Sequence, residues 1–192
     1  MEALLISTAL VTLAEMGDKT QLLSLLLAAK FKKPWTIVAA ILVATLLNHA
    51  LAAWLGHWLT GLIPPEAMRW ILGLSFLAMA GWMLIPDQLD EDEQGLLRWQ
   101  RFGVFGLTFI LFFLAEMGDK TQIATVGLAA RFEQLPMVIA GTTLGMMLAN
   151  VPAVLIGDRM AGRLPIQWIH RVAALIFALL GLLALWPQLW SA

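Results

Sequence analysis

The chain has no cysteine and no tyrosine, and only 13% of its 192 residues are charged. Without cysteine there are no disulfides and no thiolate metal sites. Soluble domains carry about 25% charged residues. Here the scarcity of charge goes with 60% hydrophobic residues and a mean hydropathy of +0.83, more than one small soluble core can bury. Lipid is therefore the expected solvent. A net charge of −1 gives no reason to expect a nucleic-acid partner. The aromatic weight missing from tyrosine rests on nine tryptophans. Trp35, Trp58, Trp70, Trp82, Trp99, Trp168, Trp186 and Trp190 lie close to the ends of apolar runs, as in an interfacial belt. Trp54, further inside its run, reads as packing.

Apolar runs cover 3–29, 35–60, 67–86, 103–130, 135–158 and 167–190. Each is long enough for a helix across about 30 Å of hydrocarbon. The first begins with Glu2 instead of a basic segment and carries charge at its centre, so it reads as a span and not as a cleaved signal peptide. The expected fold is an all-α integral membrane protein with six transmembrane helices.

Eight residues occur twice without a change, Ala14 to Gln21 and Ala115 to Gln122. The likeness extends beyond them at a constant offset of 101: Phe31 maps on Phe132, Ala39 on Ala140, Gly56 on Gly157, Gly61 on Gly162, Pro64 on Pro165, Phe76 on Phe177 and Pro86 on Pro187. The expected domains are a three-helix repeat at 1–86, an acidic cytoplasmic linker at 87–101 and a second three-helix repeat at 102–192. Three is odd, so the second repeat enters the membrane inverted, as in many secondary transporters. Lys30, Lys32, Lys33, Arg98, Arg101, Arg159, Arg163 and Arg171 fall on one side, and only Arg69 and Arg131 on the other. The positive-inside rule then puts both termini outside. Asp87, Asp90, Glu91, Asp92 and Glu93 count little in that rule and read as a solvated linker.

Within each copy of the octapeptide, Glu15, Asp18 and Lys19, or Glu116, Asp119 and Lys120, stand mid-span. An ionisable residue there is expensive and marks a functional site by default. At about 2.5–3.5 kcal/mol each for Asp or Lys, six such groups sum to roughly 15–20 kcal/mol. On a continuous helix Glu15 neighbours Asp18 and Lys19, so pairing within each motif would offset part of that cost. A purely structural pair of ion pairs is the bland alternative, and apolar residues serve that purpose as well. Inversion keeps both copies at the same depth, where they can meet. Four carboxylates and two lysines leave a charge of −2, which one divalent ion or two protons neutralise. Only oxygen donors are offered, with Thr20, Gln21, Thr121 and Gln122 beside the acids. That favours a hard ion such as Mn²⁺, Ca²⁺ or Mg²⁺. Met16 and Met117 are either thioether ligands or interhelical packing. Gly17 allows a kink, an unwound turn or close helix approach.

Asn48 and Asn150 lie mid-helix, one register apart in the repeat. Either they bond a neighbouring helix or they line the ion path. His49 is a candidate relay without a counterpart, because Asn150 takes the equivalent place, and it reads as structural. His57 and His170 lie near span ends and carry no signal.

The motif Glu-x-Gly-Asp-Lys-Thr, twice in a six-span chain, resembles the Glu-x-Gly-Asp-[Lys/Arg]-[Thr/Ser] cation-transporter family of bacterial manganese exporters and Golgi Ca²⁺/Mn²⁺ transporters. The resemblance covers essentially the whole chain. It implies secondary transport of Mn²⁺, and in some members Ca²⁺, against protons. It also implies that Glu15, Asp18, Glu116 and Asp119 bind the cation. No cofactor is implied, since the ion is cargo. The N-terminal extension and long central loop of eukaryotic members are missing, which points to efflux across a bacterial inner membrane.

Two rivals come from other classes. An intramembrane aspartyl protease would use a Gly-Asp as here, but it needs a partner Tyr-Asp, and the chain has no tyrosine. A lysine beside each aspartate also spoils a shared-proton dyad. No enzyme is expected. A channel or exporter for another cation or a small amino-acid-like solute is the other alternative. Four acids suit a cation better than a zwitterion.

Overall fold

The computed structural model describes residues 1–85, 102–132, 134–156 and 166–186, with Ile166 described by its backbone alone. The acidic linker at 87–101, the loop at 157–165 with Arg159 and Arg163, and Pro86, Pro187 and Trp190 lie outside the described residues. Among those described, the fold is all-α with eight helices: α1 Glu2–Glu15, α2 Lys19–Phe31, α3 Pro34–Leu62, α4 Pro65–Trp82, α5 Gly103–Ala115, α6 Lys120–Arg131, α7 Leu135–Ile156 and α8 Ile166–Leu185. Prolines open α3 and α4 at their first turns, where a missing N–H costs nothing. Lys32 ends α2 in a left-handed conformation.

The runs expected as single helices at 3–29 and 103–130 are each divided by their own motif. Gly17 and Gly118 have φ of +84° and +78°, a region that costs other L-residues about 1–2 kcal/mol. Asp18 and Asp119 follow in extended backbone and cap the next helices, α2 and α6. Of the three possibilities that glycine allows at position 17, the unwound turn is the one observed. Among the described residues three helices are long and apolar enough to cross a membrane by themselves: Pro34–Leu62, Leu135–Leu155 and Gln167–Leu185.

The divided helices pack across the chain. α1 lies chiefly on α7 and α5 chiefly on α3; α2 also touches α7, α6 touches α3, and α4 pairs with α8. Glycine permits several close approaches among these helices. A Cβ on Gly141 would lie 2.6 Å from the Leu4 carbonyl oxygen, one on Gly145 2.7 Å from that of Thr8, and one on Gly181 2.9 Å from that of Gly73.

Polarity is arranged inside out. Glu15, Asp18, Thr20, Ser24, Asn48, Glu116, Asp119, Lys120 and Asn150 are buried, while Leu46, Leu47, Leu51, Leu175, Leu179 and Leu182 face outward. That suits an apolar solvent. All seven described tryptophans are exposed, Trp54 at 61%. Trp54 is therefore not the interior packing residue its position in the run suggested.

Candidate cation-binding centre

Each octapeptide folds into the same hydrogen-bonded turn. The Gly17 N–H donates to Gln21 Oε1 at 2.8 Å, and the Thr20 hydroxyl to Glu15 Oε2 at 2.6 Å. In the second copy the Gly118 N–H donates to Gln122 Oε1 at 2.7 Å, and Thr121 to Glu116 Oε2 at 2.7 Å. The threonine and glutamine oxygens, read from the sequence as donors for an ion, thus brace the turn and one oxygen of each glutamate. The other oxygens, Glu15 Oε1 and Glu116 Oε1, are buried without a hydrogen-bond partner. An unsatisfied buried acceptor is costly unless something else fills it.

The two copies meet. Carboxylate oxygens of Glu15, Asp18 and Asp119 lie within 4.8 Å of one another, and all three residues are buried. Glu116, also buried, is not in that set. Lys120 Nζ lies 2.7 Å from Asp18 Oδ1, with both side chains 1% exposed. This pair crosses between the copies, whereas helical spacing predicted pairing within each motif. The physical reason is the break at Gly118: the i,i+4 register does not survive a left-handed residue. The first residue of α6 instead points its ammonium at the other turn. Lys19 is half-buried and forms no salt bridge among the described residues. Asp119 Oδ2 is buried with no hydrogen-bond partner.

Around the cluster both asparagines bond other helices. Asn48 accepts from Gln122 Nε2 and donates to the Phe113 carbonyl at 3.3 Å. Asn150 accepts from the Ser24 hydroxyl at 2.6 Å and donates to the Met146 carbonyl at 3.1 Å. Gln21 Nε2 donates at 2.9 Å to the carbonyl of Ala149, the residue equivalent to Asn48. His49 is buried with neither ring nitrogen bonded. Met117 is 57% exposed, so it does not pack between helices.

His170 carries no signal in the sequence, yet its Nε2 donates to the Met16 carbonyl at 2.7 Å, so α8 closes over the first turn. The available signal was the repeat offset, which pairs His170 with Arg69, so both halves carry a donor at that place. The donor set is all oxygen, convergent and taken from both copies, which is the chemistry of a hard divalent ion. Comparison with known proteins agrees: the family model described as "Divalent cation/proton antiporter GDT1" matches residues 3–91 and 104–191.

The chain belongs to the GDT1 family. It is thereby a membrane transporter, of the divalent cation/proton antiporter class. A Vibrio cholerae relative named "Putative manganese exporter" is 55% identical over 183 residues, covering 95% of this chain and 90% of the relative. A GDT1-like protein of Synechocystis is 26% identical over 200 residues, covering 94% and 95%. GDT1-like protein 3 of Arabidopsis thaliana is 28% identical over 201 residues, covering 92% and 68%. No solved structure matches. Each GDT1 stretch contains one copy of the octapeptide.

Proposed function

We propose that this GDT1 transporter exports Mn²⁺, with Ca²⁺ as a second substrate, in exchange for protons at one carboxylate site shared by two inverted halves. The observation that carries the reading is the convergence of Glu15, Asp18 and Asp119, from both copies, within 4.8 Å. Glu116 completes the acid set as the ion settles, through the oxygen its threonine leaves bare. The four carboxylates with the Lys19 and Lys120 ammonium groups carry −2. One divalent ion neutralises that charge, and so do two protons, which makes the two cargoes alternatives. In the low dielectric of a buried site the empty, unprotonated cluster is the disfavoured state, so by alternating access the site turns from one side of the membrane to the other only when loaded with one cargo or the other. The name of the Vibrio cholerae relative supports manganese as the ion.

The halves are 1–86 and 102–192, joined by the linker at 87–101, with three spans each. α1 with α2, and α5 with α6, each form one broken span. Broken helices at a repeat interface are a recurrent transporter site. The reciprocal packing of α1 on α7 and of α5 on α3 supports the two-half reading. Both termini lie outside a bacterial inner membrane.

Reconstitution in liposomes with an imposed pH gradient tests this. Mn²⁺ movement driven by the gradient, with protons moving the other way, is the expected result. Mn²⁺ flux indifferent to the gradient removes proton exchange, and absence of any divalent flux removes the function.

A further inference from the structure

We infer that Lys120 and Lys19 are paired positioning residues that lock the carrier by turns in its two access states. The inference rests on the alternating access proposed above. Three differences between the equivalent turns carry it. First, Lys120 is buried against Asp18 at 2.7 Å, while its equivalent Lys19 is half-buried and does not bridge Asp119. Second, His170 donates to the Met16 carbonyl. Its equivalent Arg69 keeps a buried Nε without a hydrogen-bond partner and directs its guanidinium 3.9 Å from the exposed Glu66. Third, Met16 is half-buried, whereas Met117 and Gly118 are exposed. The turn at 15–18 is the more covered of the two and the turn at 116–119 the more exposed.

Exchange of the two halves converts one arrangement into the other. In the exchanged state Lys19 bridges Asp119, Arg69 covers the Met117 carbonyl, and the turn at 15–18 opens. The Lys120 ammonium occupies part of the carboxylate cluster as a tethered cation. An arriving divalent ion repels it from Asp18, since like charges a few ångströms apart in a buried site oppose each other strongly. Loading the site therefore releases the lock on the covered turn. The lysines thus make the change of access depend on occupancy.

The absence of cysteine makes the test direct. Met16→Cys and Met117→Cys serve as single reporters in sealed liposomes, labelled with a membrane-impermeant maleimide from either side. The expected result is fast labelling at position 117 and slow labelling at 16, from opposite sides. Lys120→Gln lowers the 117-to-16 labelling ratio by about tenfold, the shift that a 1.4 kcal/mol loss of bias produces. Lys19→Gln raises the ratio, Lys120→Arg preserves it, and added Mn²⁺ lowers it in the parent. A common direction for both glutamine variants overturns the exchange, as does an unchanged ratio in both. Should Lys120→Gln not insert, Lys19→Gln and Arg69→Gln decide, since both raise the ratio if the exchange is right and neither does if it is wrong. Mn²⁺ flux in the same liposomes reports separately: its absence in the parent overturns the transport reading, while the ratio still reads the lock.

Discussion

The turns at 15–18 and 116–119 are identical in sequence and alike in backbone, with the same left-handed glycine and the same threonine and glutamine bonds. Their surroundings are not alike. One is closed by His170 and Lys120; the other is bare at Met117 and Gly118. Local sequence thus sets the shape of the turn, and the opposite half sets its access. On the proposed alternating access, the inequality leaves one turn covered while the other is exposed.

The strongest challenge to that comparison is to neutralise the acids one at a time. Asp18→Asn and Asp119→Asn are each expected to lower Mn²⁺ flux by more than about 100-fold, beyond the range seen for supporting residues of metal sites. Thermal unfolding in detergent then separates them. Asp18→Asn removes a carboxylate 2.7 Å from the buried Lys120 ammonium and is expected to cost about 3–5 kcal/mol, more than Asp119→Asn. Equal stability losses would deny the inequality.

Next, Thr20→Val and Thr121→Val each leave a glutamate unbraced. Mn²⁺ binding should weaken by about 10–100-fold in both, measured by titration calorimetry, with Ser variants near normal. A smaller effect comes from Gly118→Ala. Nothing lies within 4 Å of the added Cβ, so the cost is the left-handed backbone alone, about 1–2 kcal/mol, read as a lowered unfolding temperature. A larger loss would mean that the exposed turn is crowded after all. The smallest expected effect is for Asn48→Ala and Asn150→Ala, about 0.6 kcal/mol per interhelical hydrogen bond. Asn48→Ala also frees Gln122, so only that variant should slow Mn²⁺ flux.

Much of the fold and the site is legible in the sequence because membranes punish charge. Glu15, Asp18, Lys19 and their equivalents stand out against the apolar runs, and the offset of 101 ties the two sets together. The direction of Lys120 is not legible. Helical spacing assigns it to its own motif, and that rule fails at a glycine whose φ is positive. Trp54 misleads for a related reason: position within a run gives depth but not facing. His170 escapes notice because a residue near a span end has no periodicity to betray it, and only the packing of α8 brings it to Met16. The division of the first and fourth apolar runs is half legible, since Gly17 allows a break without requiring one.

The crossing of α1 onto α7 has a consequence for biosynthesis. α1 leaves the ribosome on the order of ten seconds before α7 is made, at ordinary rates of synthesis. For most of that interval Glu15 and Asp18 have neither Lys120 on α6 nor the Asn150 helix α7 for company. The nascent first half must wait in a hydrated protein environment, or at the membrane surface, until its complement arrives. On the proposed division into halves, two half-chains expressed together are expected to assemble, and either one alone leaves its buried charges without their partners from the other.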